Sequence, residues 1–177
     1  MAEANIKTKA ADIMQDDGLP DSRSRDLAKA IAKTRVATFD SDFGAIEVAY
    51  RTVEREFIAR AGNDEIAVLE TKRRIAEAVL MAAVENCQPF DTCRKCWDDM
   101  LRLGFTNIDR TCTMTWYYAE CCRQNEQPSI GLGVLEPVIN DLHRLLAEPG
   151  VTESAAEYYR HELDNLGALL DKLKTAT

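Results

Sequence analysis

The sequence contains few of the residues that turn a chain. Its 177 residues include only 8 glycines and 5 prolines. An all-β domain needs such residues at many short loops, and no stretch here alternates cleanly between apolar and polar residues. The sequence therefore argues against a β-rich fold.

Other absences exclude classes of function. The chain has two histidines, His143 and His161, and neither belongs to the His and Glu spacings that build zinc or di-iron sites on helices. We expect both at the surface or at an edge.

No window approaches 18 uninterrupted apolar residues, so no transmembrane helix is expected. The first residues lack the apolar core of a secretory signal, which predicts a cytoplasmic protein.

The charge is negative and evenly spread. A formal net charge of −8 disfavours binding to nucleic acid or to anionic lipid, since both carry the same sign. The composition, 46% hydrophobic and 29% charged, is that of an ordinary globular protein.

Helical periodicity dominates what is present. Its clearest example is a stripe of apolar residues at intervals of three and four: Phe43, Ile46, Tyr50, Val53 and Phe57. Repeated stripes predict an all-α fold, a single-domain bundle of about six main helices with short loops over residues 21–177. Residues 1–20 have only a weak pattern, and we expect a flexible N-terminal arm or a short helix there.

The third predicted helix, over residues 65–86, carries both an apolar stripe and a basic run. We expect its apolar residues to face inward: Ile66, Leu69, Ile75, Val79, Leu80 and Ala83. The basic run 72–74 has glutamates four residues away on either side, as Glu70–Arg74 and Arg73–Glu77 pairs. We therefore expect a solvated face whose charges pair along the helix.

The cysteines raise the question of a metal site, because five of the six fall between residues 93 and 122. A Cys-x-x-Cys pair suits half of a zinc site, and the candidate ligands for zinc or iron are Cys93, Cys96, Cys112 and Cys122. Helical geometry argues against the tidy arrangement of Cys93 and Cys96 with residues 121 and 122. If two helices form a hairpin about Phe105, a rise of about 1.5 Å per residue spreads those sulfurs over roughly 12 Å.

Two other interpretations of the cysteines remain. Cys93 lies in the first turn of a predicted helix beside Arg94 and Lys95, where a reactive thiolate is favoured, although no strand precedes it. The favoured interpretation is that most of these cysteines are reduced and buried, acting as small hydrophobic residues in a reducing compartment.

Two further motifs are weak. The turn after Gly104 superficially resembles a helix-turn-helix, but Asp109 would face phosphate, which disfavours DNA binding. Gly131 and Gly133 lack the preceding strand and the lysine of a phosphate-binding loop. With no catalytic signature visible, the protein is more consistent with a non-enzyme.

These observations predict a non-catalytic cytosolic protein that acts through protein–protein contacts, including self-association. Large aromatic residues are enriched in interfaces, and the candidate interaction surface comprises Trp116, Tyr117, Tyr118, Tyr158 and Tyr159. The alternative is a cysteine-based protein, metal-binding or thiol-redox, centred on the hairpin at residues 93–122.

Overall fold

The chain folds into α-helices connected by short turns. The computed structural model describes residues 21–105 and 107–176. Within those residues there is no strand, and there are seven helices: α1 Asp21–Ala37, α2 Phe43–Ala61, α3 Glu65–Glu85, α4 Phe90–Leu103, α5 Ile108–Gln124, α6 Pro128–Leu146 and α7 Glu153–Lys174. The all-α prediction is confirmed, with seven helices in place of about six. The predicted arm at residues 1–20 lies outside the described residues.

Several helix ends follow local signals in the sequence. The Asp42 side chain caps α2 by accepting a hydrogen bond from the backbone N–H of Ala45 at 2.9 Å. Thr152 caps α7 in the same way. Gly62 ends α2 with a φ of 60°, and Gly104 follows α4 with a φ of 72°, a conformation that a Cβ atom disfavours. Asp and Thr are common helix N-caps and glycine commonly ends a helix, so these boundaries follow from local residue types.

Helix α6 begins earlier than its apolar stripe suggests. The sequence predicts a polar connection into this region, with Pro137 in a first helical turn. The structure begins α6 at Pro128, so Pro137 lies inside the helix. There it has no N–H to donate to the carbonyl of Gly133. Because Gly131 and Gly133 both lie within α6, they form no phosphate-binding loop.

The described residues form two compact units. The first unit contains the described residues up to Val79 together with Asp99–Asn107, and the second contains Leu80–Asp98 and the described residues from Ile108 onward. The expectation of one domain over residues 21–177 stays a prediction. In the second unit, α5, α6 and α7 pack around a core of Cys112, Ala119, Leu135, Val138, Leu142, Leu166, Leu169 and Leu173.

The orientation of α3 in the first unit differs from the expected one. Ile66 is 62% exposed and Leu69 is 38% exposed, whereas Ile75 is fully buried. Ile75 follows Ile66 by nine residues, which is two and a half turns, so the two side chains lie on opposite sides of the helix. The prediction that all three face inward was wrong because they cannot share one face.

The charged groups around the basic run of α3 are largely shielded from solvent where a solvated face was expected, although Lys72 is exposed. Glu70 and Glu77 are both buried. Arg73 pairs with Glu70, and Arg74 Nε lies 3.9 Å from a carboxylate oxygen of Glu77. These two pairs each join residues that are three positions apart. Burial makes this pairing necessary, because an unpaired charge away from water is strongly destabilising.

We compared the helices with the length and apolar content that a membrane span requires. Among residues 21–105 and 107–176, no helix is long and apolar enough to cross a bilayer.

We predict that a single methyl group at position 131 destabilises the second unit. A Cβ there would lie 2.9 Å from Leu173 Cδ1 and 3.2 Å from Cys122 Cβ, and both of these residues are fully buried. Gly131→Ala should lower the free energy of unfolding by roughly 1–3 kcal/mol, as measured by urea denaturation.

The matched control is Gly133→Ala on the same helix, where an added Cβ meets nothing within 4 Å. This change should raise the free energy of unfolding by about 0.5–1 kcal/mol, because alanine favours the helix more than glycine does. Equal effects of the two substitutions would contradict the packing described for α6.

Candidate functional site

The second unit contains a buried pair of thiols contributed by two helices. Cys93 lies in the first turn of α4 and Cys121 near the end of α5, and neither is exposed. The Cys93 thiol donates a hydrogen bond to the carbonyl oxygen of Gln88 at 3.6 Å, and Cys121 is the group that most affects its pKa. Asn125 donates a hydrogen bond from Nδ2 to the Cys121 sulfur at 3.5 Å. The geometry therefore stabilises negative charge on Cys121.

The two thiols differ in acidity. The hydrogen bond to Cys121 raises the pKa of Cys93, and burial raises it further. The hydrogen bond from Cys93 lowers the pKa of Cys121; burial opposes that shift and the bond from Asn125 adds to it. Of the two thiols, Cys121 therefore ionises more readily. The sequence suggested Cys93 instead, because that residue has two cationic neighbours.

A stack of aromatic rings lies next to these thiols. The Trp97 and Tyr118 rings are parallel within 3°, with centroids 4.6 Å apart, and the Phe90 ring lies 6.3 Å from that of Tyr118. Tyr118 is only 3% exposed, and its burial raises the pKa of its hydroxyl. Tyr118 is therefore a core residue, whereas the sequence predicted it in the candidate interaction surface.

Of the four cysteines considered for zinc or iron, Cys112 lies in a separate core cluster from the other three. Cys112 belongs to the core between α5, α6 and α7, where burial, followed by the charges of Glu162 and Asp109, raises the pKa of its thiol to about 12. The neighbours of Cys93 are instead Cys121, Cys96 and Cys122. In the part of the chain that the structure describes, no three His, Cys, Asp or Glu side chains are arranged to hold a metal ion. The alternative metal site stays a prediction.

The partnership of Cys93 with Cys121 was missed by measuring heights from Phe105. Helix α4 ends at Leu103 and α5 begins at Ile108, so the heights are better counted from those two ends. On that count Cys93 and Cys121 differ by three residues, or about 4.5 Å of helical rise. Two side chains can span that difference. The number of residues that connect α4 to α5 was therefore the feature of the sequence that could have indicated this pairing.

The remaining aromatic residues of the predicted surface have separate environments. Tyr158 donates a hydrogen bond to Asp109 Oδ1 at 3.0 Å, and Tyr159 packs against the core of the second unit. Both are half-buried. Trp116 is 36% exposed and contacts Tyr117 edge to face, with centroids 5.4 Å apart. Trp116 and Tyr117 are therefore the pair that most resembles the predicted surface.

A carboxylate lies beside the Tyr158–Asp109 contact. Burial raises the pKa of Glu162, His161 opposes this shift, and the negative charge of Asp109 adds to it. Glu162 is on α7 and half-buried. Its charged form is thus disfavoured in the folded protein.

The first unit leaves several apolar side chains in water. Phe39 is 81% exposed and Val36 is 78% exposed, both at the end of α1 or just beyond it. Others on α2, α3 and α4 are exposed as well: Val48, Ile66, Leu69 and Leu101. Exposed apolar groups of this size are typical of binding surfaces when they cluster.

Comparison with protein-family models, curated proteins and solved structures finds no match to this chain.

We predict that Glu162 makes stability fall as the pH rises. A carboxyl group whose folded pKa is raised contributes its stability fully below the unfolded pKa of about 4.3 and loses it as the pH rises through the folded pKa. Glu162→Gln, which stays neutral, should therefore raise the melting temperature at pH 7, with the advantage shrinking toward pH 4.

The control is Asp164→Asn, which removes the same charge from an exposed position on α7. It should show a much smaller difference between the two pH values in thermal melts. A larger gain for Asp164→Asn than for Glu162→Gln at pH 7 would contradict the role given to burial.

Proposed function

We propose that this protein is not an enzyme but a helical binding protein that acts through contacts with other proteins. The observation that carries the proposal is the state of Trp116, a large aromatic side chain left partly in water and held in place by its neighbours. Tryptophan is among the residues most enriched where single side chains dominate binding free energy.

Trp116 is held by a short chain of contacts. Its ring meets that of Tyr117 at an angle of 82°, and the Tyr117 hydroxyl lies 3.1 Å from Glu85 Oε1 at the end of α3. A side chain already ordered in the free protein loses less conformational entropy on binding. Trp116 therefore has the properties of a preorganised anchor.

The proposal predicts a protein contact on the face of α5 that carries Trp116. Thr113 lies one turn before it on the same side of the helix, so p-benzoylphenylalanine placed at position 113 would be within reach of a partner. Irradiation in the source cells should give adducts of discrete mass. Trp116→Ala should reduce their yield at least tenfold, because an anchor of this kind contributes about 2 kcal/mol or more.

The matched control is Gln124→Ala, an exposed change on the same helix, which should leave the adducts unchanged. The same crosslinker at Glu157, exposed on α7, is the control for chance encounters. Adducts that survive Trp116→Ala, or equal labelling from positions 113 and 157, would contradict the proposal.

A second candidate, a thiol-redox function, is favoured by the contact between Cys93 and Cys121. If a peroxide reaches the Cys121 thiolate, sulfur attacks one peroxide oxygen, the O–O bond breaks, and a sulfenic acid and hydroxide form. The Cys93 thiol then attacks that sulfenic acid and releases water, leaving a disulfide. Two thiol sulfurs are oxidised and one peroxide is reduced. Because both thiols are buried, the step requires local opening.

This candidate predicts a specific disulfide. After treatment with hydrogen peroxide, peptide mapping should find residues 93 and 121 linked; Cys93→Ser should abolish the link and Cys87→Ser should not. In the untreated protein, the exposed Cys87 should react fastest with a thiol reagent. Overoxidation of Cys87 with residues 93 and 121 still reduced would contradict a redox role and favour a structural one.

A further inference from the structure

The outer face of α3 carries an apolar strip in the first unit. Ile66 and Leu69 are exposed on it, although apolar residues on helices are usually turned toward a core. Beside them lies a shallow groove of about 520 Å³, lined by Gly62, Asn63, Glu65, Val68, Leu69, Lys72 and Leu103. Exposed apolar side chains beside a groove are typical of binding surfaces when they cluster.

Two side chains of opposite charge lie at the two ends of this strip. Glu65 is in the first turn of α3 and Lys72 lies seven residues later, and both are exposed. Within the described residues, neither forms a salt bridge, whereas Glu70, Arg73, Arg74 and Glu77 of the same helix are paired. Seven residues are two turns, so Glu65 and Lys72 lie on one side of α3 about 10.5 Å apart along the axis. Leu69 and Ile66 lie between them in height.

We propose that the occupant of this face is a second copy of the same chain, with the two α3 helices packed antiparallel. A twofold axis passing between Val68 and Leu69 brings Glu65 of each copy to Lys72 of the other. Two ion pairs then flank an apolar centre formed by Val68 and Leu69 from both copies, with Ile66 at its edge. This is the self-complementary arrangement that a twofold interface requires.

The charge order selects this arrangement over its alternatives. A parallel pairing of the same faces would place Glu65 against Glu65 and Lys72 against Lys72, which repel. The inference rests on the proposal that the protein acts through protein contacts and names the partner of one surface. It does not involve Trp116, which lies on α5 in the second unit.

The interface is small, so association should depend on protein concentration and weaken as salt screens the ion pairs. Sedimentation velocity over a concentration series should show a monomer that shifts to a dimer. Glu65→Lys and Lys72→Glu should each weaken this association by about tenfold or more, because each replaces two ion pairs with two like-charge contacts.

Mixing the two single variants gives the sharpest test. A Glu65→Lys chain facing a Lys72→Glu chain regains both ion pairs in the antiparallel arrangement. The equimolar mixture should therefore dimerise like the wild type, although each variant alone associates more weakly. The double variant with both changes should also dimerise. Circular dichroism of every variant checks that the fold is retained, and Glu65→Gln serves as a milder change if Glu65→Lys unfolds.

Three results would overturn the proposal: a wild-type protein that stays monomeric at every concentration, a dimer that both single variants leave unchanged, or a mixture that remains monomeric. Trp116→Ala should leave the dimer intact. A failure of the α3 dimer is therefore distinguishable from a failure of binding at Trp116, since each surface is tested by its own variants.

Discussion

The link between Glu70, Arg73 and Leu103 is the interaction on which the first unit depends. Arg73 pairs with the buried carboxylate of Glu70 and donates a hydrogen bond from Nε to the carbonyl oxygen of Leu103 at 2.8 Å. A guanidinium at the end of α4 also meets the negative end of that helix dipole. Because buried charges must be paired, this contact fixes the end of α4 beside α3. Leu103 then forms one wall of the groove next to Leu69.

Both surfaces proposed for binding follow from how the helices use their faces. Helix α3 buries the side that carries Ala67, Thr71 and Ile75, so Ile66 and Leu69 are left in water on the other side. Helix α5 turns its cysteines and Tyr118 inward, which leaves Trp116 at the surface. In both cases a large apolar side chain is exposed because its own helix has already filled its core face. A partner can therefore contact such residues without any rearrangement of the core.

The sequence predicted what local chemistry determines. The all-α class was predicted from such local patterns. The caps at Asp42 and Thr152 and the end of α4 before Gly104 also depend on residues close in sequence. The errors concern the choice of face or partner, which depends on distant residues. The basic run around Arg73 resembled a solvated face because burial cannot be recognised from pairing along one helix. Cys121 was not assigned to Cys93 because the pairing depends on where two helices end.

The central claim is that the face of α3 around Leu69 is an interface between two copies of this chain. Hydrogen exchange measured by mass spectrometry at low and high protein concentration tests it without any substitution. We predict slower exchange at high concentration in peptides covering residues 62–72 and 101–105, with the peptides of α6 and α7 unchanged. Exchange that is independent of concentration, or protection confined to other helices, would contradict the claim.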